Sequence, residues 1–411
     1  MKTNRNVLII VQNLPVPFDR RVWMEATSLR RAGFGVAVIC PKSGKYTASY
    51  EQLEDIDIYR YPLLVEAHGV AAYFVEFIYC WLASLWLALK AYAHRPFHAI
   101  HACNPPDTFF ALALLFRPLG VKFVFDHHDL CPELFLAKGH SRTGILYRGL
   151  VFMERMTMQS AHMVIAVNES HRAIAKGRNG VPDERVVVVR SGPRSGWADI
   201  NSPKPELKQG RKYMVMYLGV MGEQDGLDHL LRAIQTYRTL GADDTLFAFV
   251  GGGTDQPRMK AMAEEMGLAP VVHFTGRIPD EELWNYLSTA DLGVDPDPIT
   301  EFNNLCTMNK MIEYMAFGRP IVAFDLMEHR RTAESASVYV SEDNDAALGR
   351  AIRELLLDTE KRQAMSQFGR QRFREALAWE NSEKRLVAAY QKLLDGQAPA
   401  TLKAQADTTT V

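Results

Sequence analysis

The chain has 411 residues, 47% of them hydrophobic, which is enough material for two ordinary domains with separate cores. Its formal net charge of −1 gives no global basic field of the kind that nucleic-acid binding uses, so any anion site must be local. Five scattered cysteines (Cys40, Cys80, Cys103, Cys131, Cys306) with no CxxC pair argue against a zinc centre or a secreted disulfide framework, and for a reducing, cytoplasmic setting.

The first apolar run, residues 7–11, is too short for a signal peptide and reads as a buried strand. Pro15 and Pro17 stiffen the loop that follows. Its Arg20 and Arg21 can meet an anionic acceptor or pair with Asp19 and Glu25. Further strands are predicted at 36–39, 56–61, 99–101, 123–125 and 163–167, alternating with helical stretches as in a parallel sheet with crossover helices. Residues 70–92 are long and apolar enough to cross a bilayer, yet Glu76 interrupts them and the α/β pattern resumes at Ala99. A buried or half-buried helix is expected there, with a helix seated on a membrane surface as the alternative. After the strand at 123–125, Asp126-His127-His128-Asp129 concentrates titratable groups at a strand end, where histidine and carboxylate can orient a hydroxyl or move a proton.

A second series of strands is predicted at 186–189, 214–218, 246–250, 271–274, 292–294, 321–323 and 337–340. Turn formers at 191–212 mark a boundary. The expected domains are 1–195 and 196–375, then a helix at 376–396 that crosses back to the first, and a disordered tail at 397–411.

Four strand ends in the second series can hold a ligand. Gly219, Gly222 and Gly226 form a turn whose amides can approach a pyrophosphate, and Gly251, Gly252 and Gly253 end the next strand. Thr275-Gly276-Arg277-Ile278 has backbone groups that can hold a flat base or form an ordinary loop. The fourth is a helix over 307–317 that Gly318 caps and Pro320 ends, with Lys310 and Glu313 one turn apart. Before it, Asp295 and Asp297 resemble a metal-binding pair, but their flanking prolines suggest a rigid loop, so no metal is expected. Asn303 and Asn304 can donate to a sugar or phosphate. Neither half opens with GxGxxG and a ribose-binding acid, and GxxxxGK[ST] is absent, which disfavours a Rossmann dehydrogenase and P-loop phosphoryl transfer.

In their order, the Pro17-Phe-Asp-Arg-Arg-Val loop, Phe125-Asp-His-His-Asp-Leu-Cys-Pro-Glu133, the glycine turns, Thr275-Gly-Arg277 and Asn309-Lys-Met-Ile-Glu-Tyr-Met-Ala-Phe-Gly-Arg-Pro320 resemble retaining glycosyltransferases of family 4. The likeness is strongest to the bacterial branch that builds O-antigen, capsule and exopolysaccharide units. It implies the GT-B fold: α/β, two Rossmann-like doubly wound domains facing each other across a cleft. It also implies transfer of a sugar from a nucleoside-diphosphate donor, expected to be a UDP-sugar, to a polyprenyl-diphosphate-linked saccharide, without metal or other cofactor and with retained anomeric configuration. The enzyme would be cytoplasmic, with peripheral attachment to the inner membrane as an option. A nucleotide-sugar 2-epimerase and an inactive sugar-nucleotide-binding subunit are the alternatives.

By the resemblance, Glu313 matches the second glutamate of the Glu-x7-Glu motif and holds the donor ribose. Leu305 stands where the first glutamate would be, and Val220 and Asp225 replace the usual basic partners of the diphosphate. Lys310 is the expected substitute, with Arg277 second. The expected catalytic group is therefore His127, His128, Lys310 and Asn304, and the donor-binding group Gly219, Gly222, Gly252, Gly253, Arg277, Ile278, Lys310 and Glu313.

Overall fold

A computed structural model describes residues 5–63, 70–241, 243–341 and 344–395; the tail expected at 397–411 lies outside the described residues. The chain divides into two compact units. One comprises the chain up to Val189 together with residues from Ser382 onward, and the other is Arg190–Asn381.

The first unit runs β1 (Asn6–Ile10), α1 (Arg20–Arg31), β2 (Gly35–Pro41), β3 (Tyr50–Leu53), β4 (Ile56–Tyr61), α2 (Val70–His94), β5 (Ala99–Cys103), α3 (Phe110–Phe116), β6 (Lys122–His127), α4 (Cys131–Ala137), α5 (Ile145–Ser160), β7 (Met163–Ala166), α6 (Glu169–Gly177) and β8 (Val186–Val188). Its sheet has the order β3-β4-β2-β1-β5-β6-β7-β8, parallel except for the β3–β4 hairpin. Two of these strands correct the sequence reading. β8 closes the first sheet instead of opening the second, because the crossover through α6 returns it beside β7. β3 has no apolar run to announce it, Glu51 and Gln52 separating Tyr50 from Leu53; it is held by a two-residue turn with positive φ at Glu54 (48°) and Asp55 (59°), the geometry that matches strand twist in tight hairpins.

Alternate residues of the sheet, among them Leu8, Ile10, Ile100, Phe123 and Phe125, form one core with Cys80 and Leu87 of α2, Leu112 and Phe116 of α3 and Met158 of α5. Residues 70–94 are thus the crossover between β4 and β5, with one face on the sheet. The intervening residue His101 points the other way and meets α14 (Trp379–Asp395), where its Nδ1 lies 2.8 Å from the Tyr390 hydroxyl.

The second unit comprises β9 (Tyr213–Leu218), α7 (Leu227–Thr239), β10 (Thr245–Val250), α8 (Gln256–Glu265), β11 (Val272–Gly276), α9 (Asp280–Thr289), β12 (Leu292–Asp295), α10 (Asn309–Ala316), β13 (Ile321–Phe324), α11 (Met327–Ala333), β14 (Ser337–Val340), α12 (Asp345–Leu357) and α13 (Thr359–Arg372). Its order is β11-β10-β9-β12-β13-β14, and every pair is parallel. Both faces are covered, one by α7, α8 and α12 and the other by α9 and α10, which is what a parallel sheet requires.

The apolar stripe of α10, Met311, Ile312 and Met315, is fully buried. Gly318 then turns left-handed at φ 64°, and Arg319 N–H donates to Tyr314 O at 2.8 Å, closing the helix before β13. The Tyr314 hydroxyl donates to Met216 O at 2.9 Å, and the ring lies so close to the sheet that a Cβ on Gly293 would stand 2.4 Å from it.

Gly293→Ala is therefore expected to destabilise the protein by about 1–3 kcal/mol through overpacking. Gly149→Ala, on an exposed position of α5 with nothing within 4 Å of the added carbon, is expected to stabilise it by up to about 1 kcal/mol. Urea unfolding of the two variants should give opposite signs; like signs would contradict this packing.

Candidate functional site

Where a parallel sheet reverses its strand order, the loops at the carboxyl ends of the two flanking strands part, and the opening takes ligands. In the second unit this occurs between β9 and β12. Gly219 leaves β9 with φ 150°, and its N–H donates to Val250 O at 3.0 Å. Met221 N–H donates to Gly252 O at 3.2 Å and Gly251 N–H to Gly276 O at 3.1 Å. The loops after β9, β10 and β11 are thereby laced into one layer.

Glycine makes the lacing possible. A Cβ on Gly251 would stand 1.9 Å from Gly219 O, and one on Gly253 would stand 2.4 Å from Met221 O. Gly253 therefore serves backbone-on-backbone contact, which corrects its expected place as a ligand cradle. The surroundings of Gly252 are open, its nearest neighbour being Arg277 N at 3.7 Å, while a Cβ on Gly222 would meet only the Gln224 side chain. Gly219, Gly222 and Gly252 thus edge the opening together with the Arg277 backbone. Ile278 turns its side chain onto the core beneath. Asp225, where a cation was expected, accepts from Gly222 N–H at 2.8 Å and closes the turn.

Lys310 reaches under this layer from α10. Its Nζ lies 3.2 Å from Asp295 Oδ1, 2.9 Å from Asp297 Oδ1 and 5.0 Å from the Tyr217 ring centre. All three charged side chains are buried, Lys310 at 8% exposure. Burial lowers the lysine's proton affinity, but the two carboxylates outweigh it and hold the ammonium well above its usual range. Burial and the Asp295 charge push the Asp297 carboxyl well above the usual carboxylate range, against the pull of Lys310; Asp295 is pushed up by burial but held below its usual range by Lys310 and His329. The expectation that Lys310 is an available cation for a diphosphate is thus corrected: its charge is already balanced. Asp295, Asp297 and His329 also offer ligand atoms within 4.8 Å of one another, a spacing that could hold a metal ion, but the ammonium sits against both carboxylates.

Asn304 is corrected as well. Its Oδ1 accepts from Met327 N–H at 3.0 Å and caps α11, while Asn303 Nδ2 donates to Pro298 O at 3.0 Å. Glu313 is half-buried one turn beyond Lys310.

In the first unit the order reverses between β1 and β5. Arg21 enters there and forks onto Asp126, with Nε 2.8 Å from Oδ2 and Nη2 2.7 Å from Oδ1, and it also lies 3.2 Å from Glu25. This buried pairing, not an exposed anion site, is the outcome for Arg21. Asn104, after β5, shapes the loop after β6: its Oδ1 accepts from His128 N–H at 2.9 Å and Asp129 N–H at 3.0 Å.

The two adjacent histidines part company. His127 continues the strand, is fully buried, and packs between Phe125 and His171, with ring centres 5.7 and 5.0 Å away. Burial, then the Arg178 and His128 charges, push its pKa down to about 3, so it is neutral and belongs to the core, which corrects its catalytic assignment. His128 sits past the strand with its side chain 16% exposed and Nδ1 2.9 Å from Asp126 Oδ2. Burial opposes its charge, but Asp126 prevails and raises it to about 9. His128 is therefore an imidazolium whose Nε2–H is the remaining ring donor. Glu25 is raised to about 8 by burial and by Asp126.

Two family models match this chain: residues 19–192 match the glycosyl transferase 4-like domain, and residues 199–372 match glycosyl transferases group 1. Between them these two glycosyl transferase models account for most of the chain. Among curated relatives, the lipopolysaccharide core biosynthesis glycosyltransferase LpsD of Rhizobium meliloti is 26% identical over 209 residues, 50% of this chain and 54% of LpsD. Two further relatives are matched over 63% and 33% of their own lengths, so the chain spans less than two thirds of each of the three. Among solved structures, sucrose-phosphate synthase of Thermosynechococcus elongatus superimposes with a TM-score of 0.78 at 17% identity, covering 96% of this chain and 100% of the other. HepE of Anabaena in complex with UDP-glucose gives 0.69 at 14% identity, covering 94% and 99%. These likenesses give the chain the GT-B fold, two α/β parallel-sheet domains.

Asp297→Asn is expected to cost less than about 1 kcal/mol, since burial and the neighbouring Asp295 already disfavour a charge on Asp297 and the amide keeps its hydrogen-bonding capacity. Lys310→Ala leaves Asp295 uncompensated and should cost about 3–5 kcal/mol. Urea unfolding at neutral pH checks the contrast, and equal costs would refute the view that Asp295 is the main counter-charge of Lys310.

His128 has a folded-state pKa above its ordinary value of 6.5, so the stability it contributes is present below pH 6.5 and lost as pH rises toward 9. Glu25, raised from 4.5 to about 8, acts in the same direction between those values. Unfolding free energy should therefore fall between pH 6.5 and 9, and His128→Gln should remove at most about 3 kcal/mol of that fall. A wild-type profile no steeper than the variant's would contradict it.

Proposed function

We propose that the protein transfers a sugar from a UDP-sugar to a hydroxyl of a polyprenyl-diphosphate-linked saccharide in surface-polysaccharide synthesis, with retention at the anomeric carbon. The second unit takes the donor and the first the acceptor. The observation that carries this reading is the laced layer of glycine loops at the order reversal of the second sheet, with Lys310 beneath it and Glu313 one turn on. Its amide edge suits a diphosphate, and a carboxylate suits two ribose hydroxyls. The UDP-glucose complex of HepE, a protein of the same fold, supports the choice of donor. LpsD, by its name a lipopolysaccharide core enzyme, supports the acceptor class.

In the reaction the bond from the anomeric carbon to the diphosphate oxygen breaks, and the acceptor oxygen bonds to that carbon on the same face. The acceptor's proton passes to the departing phosphate. Loop amides stabilise the charge that develops there. Lys310, balanced by Asp295 and Asp297, positions the layer and contributes a field without serving as a lone counter-ion. His128 donates from Nε2–H to an acceptor oxygen, held in that orientation by Asp126.

UDP at millimolar concentration should raise the melting temperature more than GDP or dTDP. Glu313→Ala should weaken UDP about 10- to 100-fold, the worth of charge-assisted hydrogen bonds to the ribose. Absence of a shift with all three nucleotides would overturn the donor assignment. With UDP-sugars, product analysis that finds an epimer and no transfer would replace transferase by epimerase.

A further inference from the structure

We propose that the first unit docks on an anionic phospholipid surface through the outer faces of α2, α3 and α5. These helices cover one face of the sheet and share its core, and the ring of Tyr92 of α2 lies tilted beside that of Phe116 of α3 with ring centres 5.6 Å apart. A helix whose inner face lies on a sheet is ordinarily polar outside. α2 is apolar on both sides. Cys80, Ser84, Leu87, Ala88 and Ala91 are buried, whereas Val75, Ile78, Leu82, Trp86 and Leu89 recur at three- and four-residue steps and stand exposed, Trp86 at 63%. The apolar surface is taken up on α3 by Leu114 and Leu115, and beyond its end by Leu119. On α5 it includes Ile145, exposed at 86%, Leu146 and Phe152. Single exposed leucines are ordinary; apolar exposure on three helices of one layer marks an interaction surface.

The charges on this layer decide the partner. Among the described residues of these helices and the turn that ends α3, the exposed charged groups are the cations Lys90, Arg117, Arg148 and Arg155, with His94 beside them. The two carboxylates are withdrawn, Glu154 fully and Glu76 partly. A second copy of the chain meeting this face in a two-fold dimer would set the cations against one another. Acyl chains and anionic headgroups complement both features: the leucines and Trp86 enter the interface, and the long basic side chains extend to the phosphates. α2 lies along such a surface and does not cross it, because its inner face belongs to the core between β4 and β5. This deepens the proposed acceptor class, since a lipid-linked saccharide is presented at such a surface, but the binding itself stands on this face alone.

The experiment is co-sedimentation of the full chain with vesicles of phosphatidylglycerol and, separately, of phosphatidylcholine. Binding to phosphatidylglycerol that weakens with salt is expected. The doubles Leu82→Glu with Trp86→Glu, and Arg148→Glu with Arg155→Glu, should each lower partitioning about tenfold or more, while keeping the wild-type melting temperature and its shift with UDP. Equal binding to both vesicle types, or partitioning unchanged in both doubles, overturns the proposal. So does a concentration-dependent wild-type dimer that the first double abolishes, which would make the face a homotypic interface. If UDP gives no shift while vesicle binding follows expectation, the donor reading fails and the surface stands; a UDP shift without vesicle binding removes the surface alone.

Discussion

Loops that leave β9 and β12 at their carboxyl ends must diverge, because β9 is followed by a crossover toward β10 and β12 by one toward β13. That divergence exposes backbone at the one edge of the sheet where no helix can cover it. The glycines at 219, 251 and 253 then become a geometric necessity, since the three loops that remain on one side have to contact one another through main chain. The first unit has the same constraint between β1 and β5, met by Arg21 on one side and Asn104 on the other.

Both units solve the electrostatics of that edge in a related way. A buried cation is set between two carboxylates: Arg21 between Asp126 and Glu25, Lys310 between Asp295 and Asp297. They differ in what is added. Asp126 also holds His128 in its charged form, so the first unit presents a net positive group at its surface. In the second unit the balance closes internally, around Lys310.

Much of the architecture was legible because parallel strands buried on both faces leave long apolar runs, and because Gly318 followed by Pro320 announces where α10 ends. The short hairpin strand β3, with Glu51 and Gln52 at its centre, left no such run. His127 shows a signal that was present and unused: counting by two from Phe123 and Phe125 puts it on the core face, and only a residue beyond the strand, His128, escapes that alternation. The balance around Lys310 was less accessible. Asp295 and Asp297 are remote from it in sequence, and nothing local distinguishes a carboxylate that faces solvent from one that meets an ammonium in the interior.

Helix α14 has a consequence for how the molecule is made. It begins in the second unit, but from Ser382 onward it belongs to the first, where Tyr390 is fully buried against Phe34 and His101. During synthesis the first sheet emerges early, yet the side of it that carries His101, where α1 already brings Glu25 within 3.5 Å, lacks α14 until residues 382–395 have left the ribosome. Nearly two hundred residues of the second unit are translated in that interval. The amino-terminal half therefore waits, incompletely packed, for the last helix of the fold, and a ribosome that stalls within the second unit leaves behind a first unit lacking one of its walls.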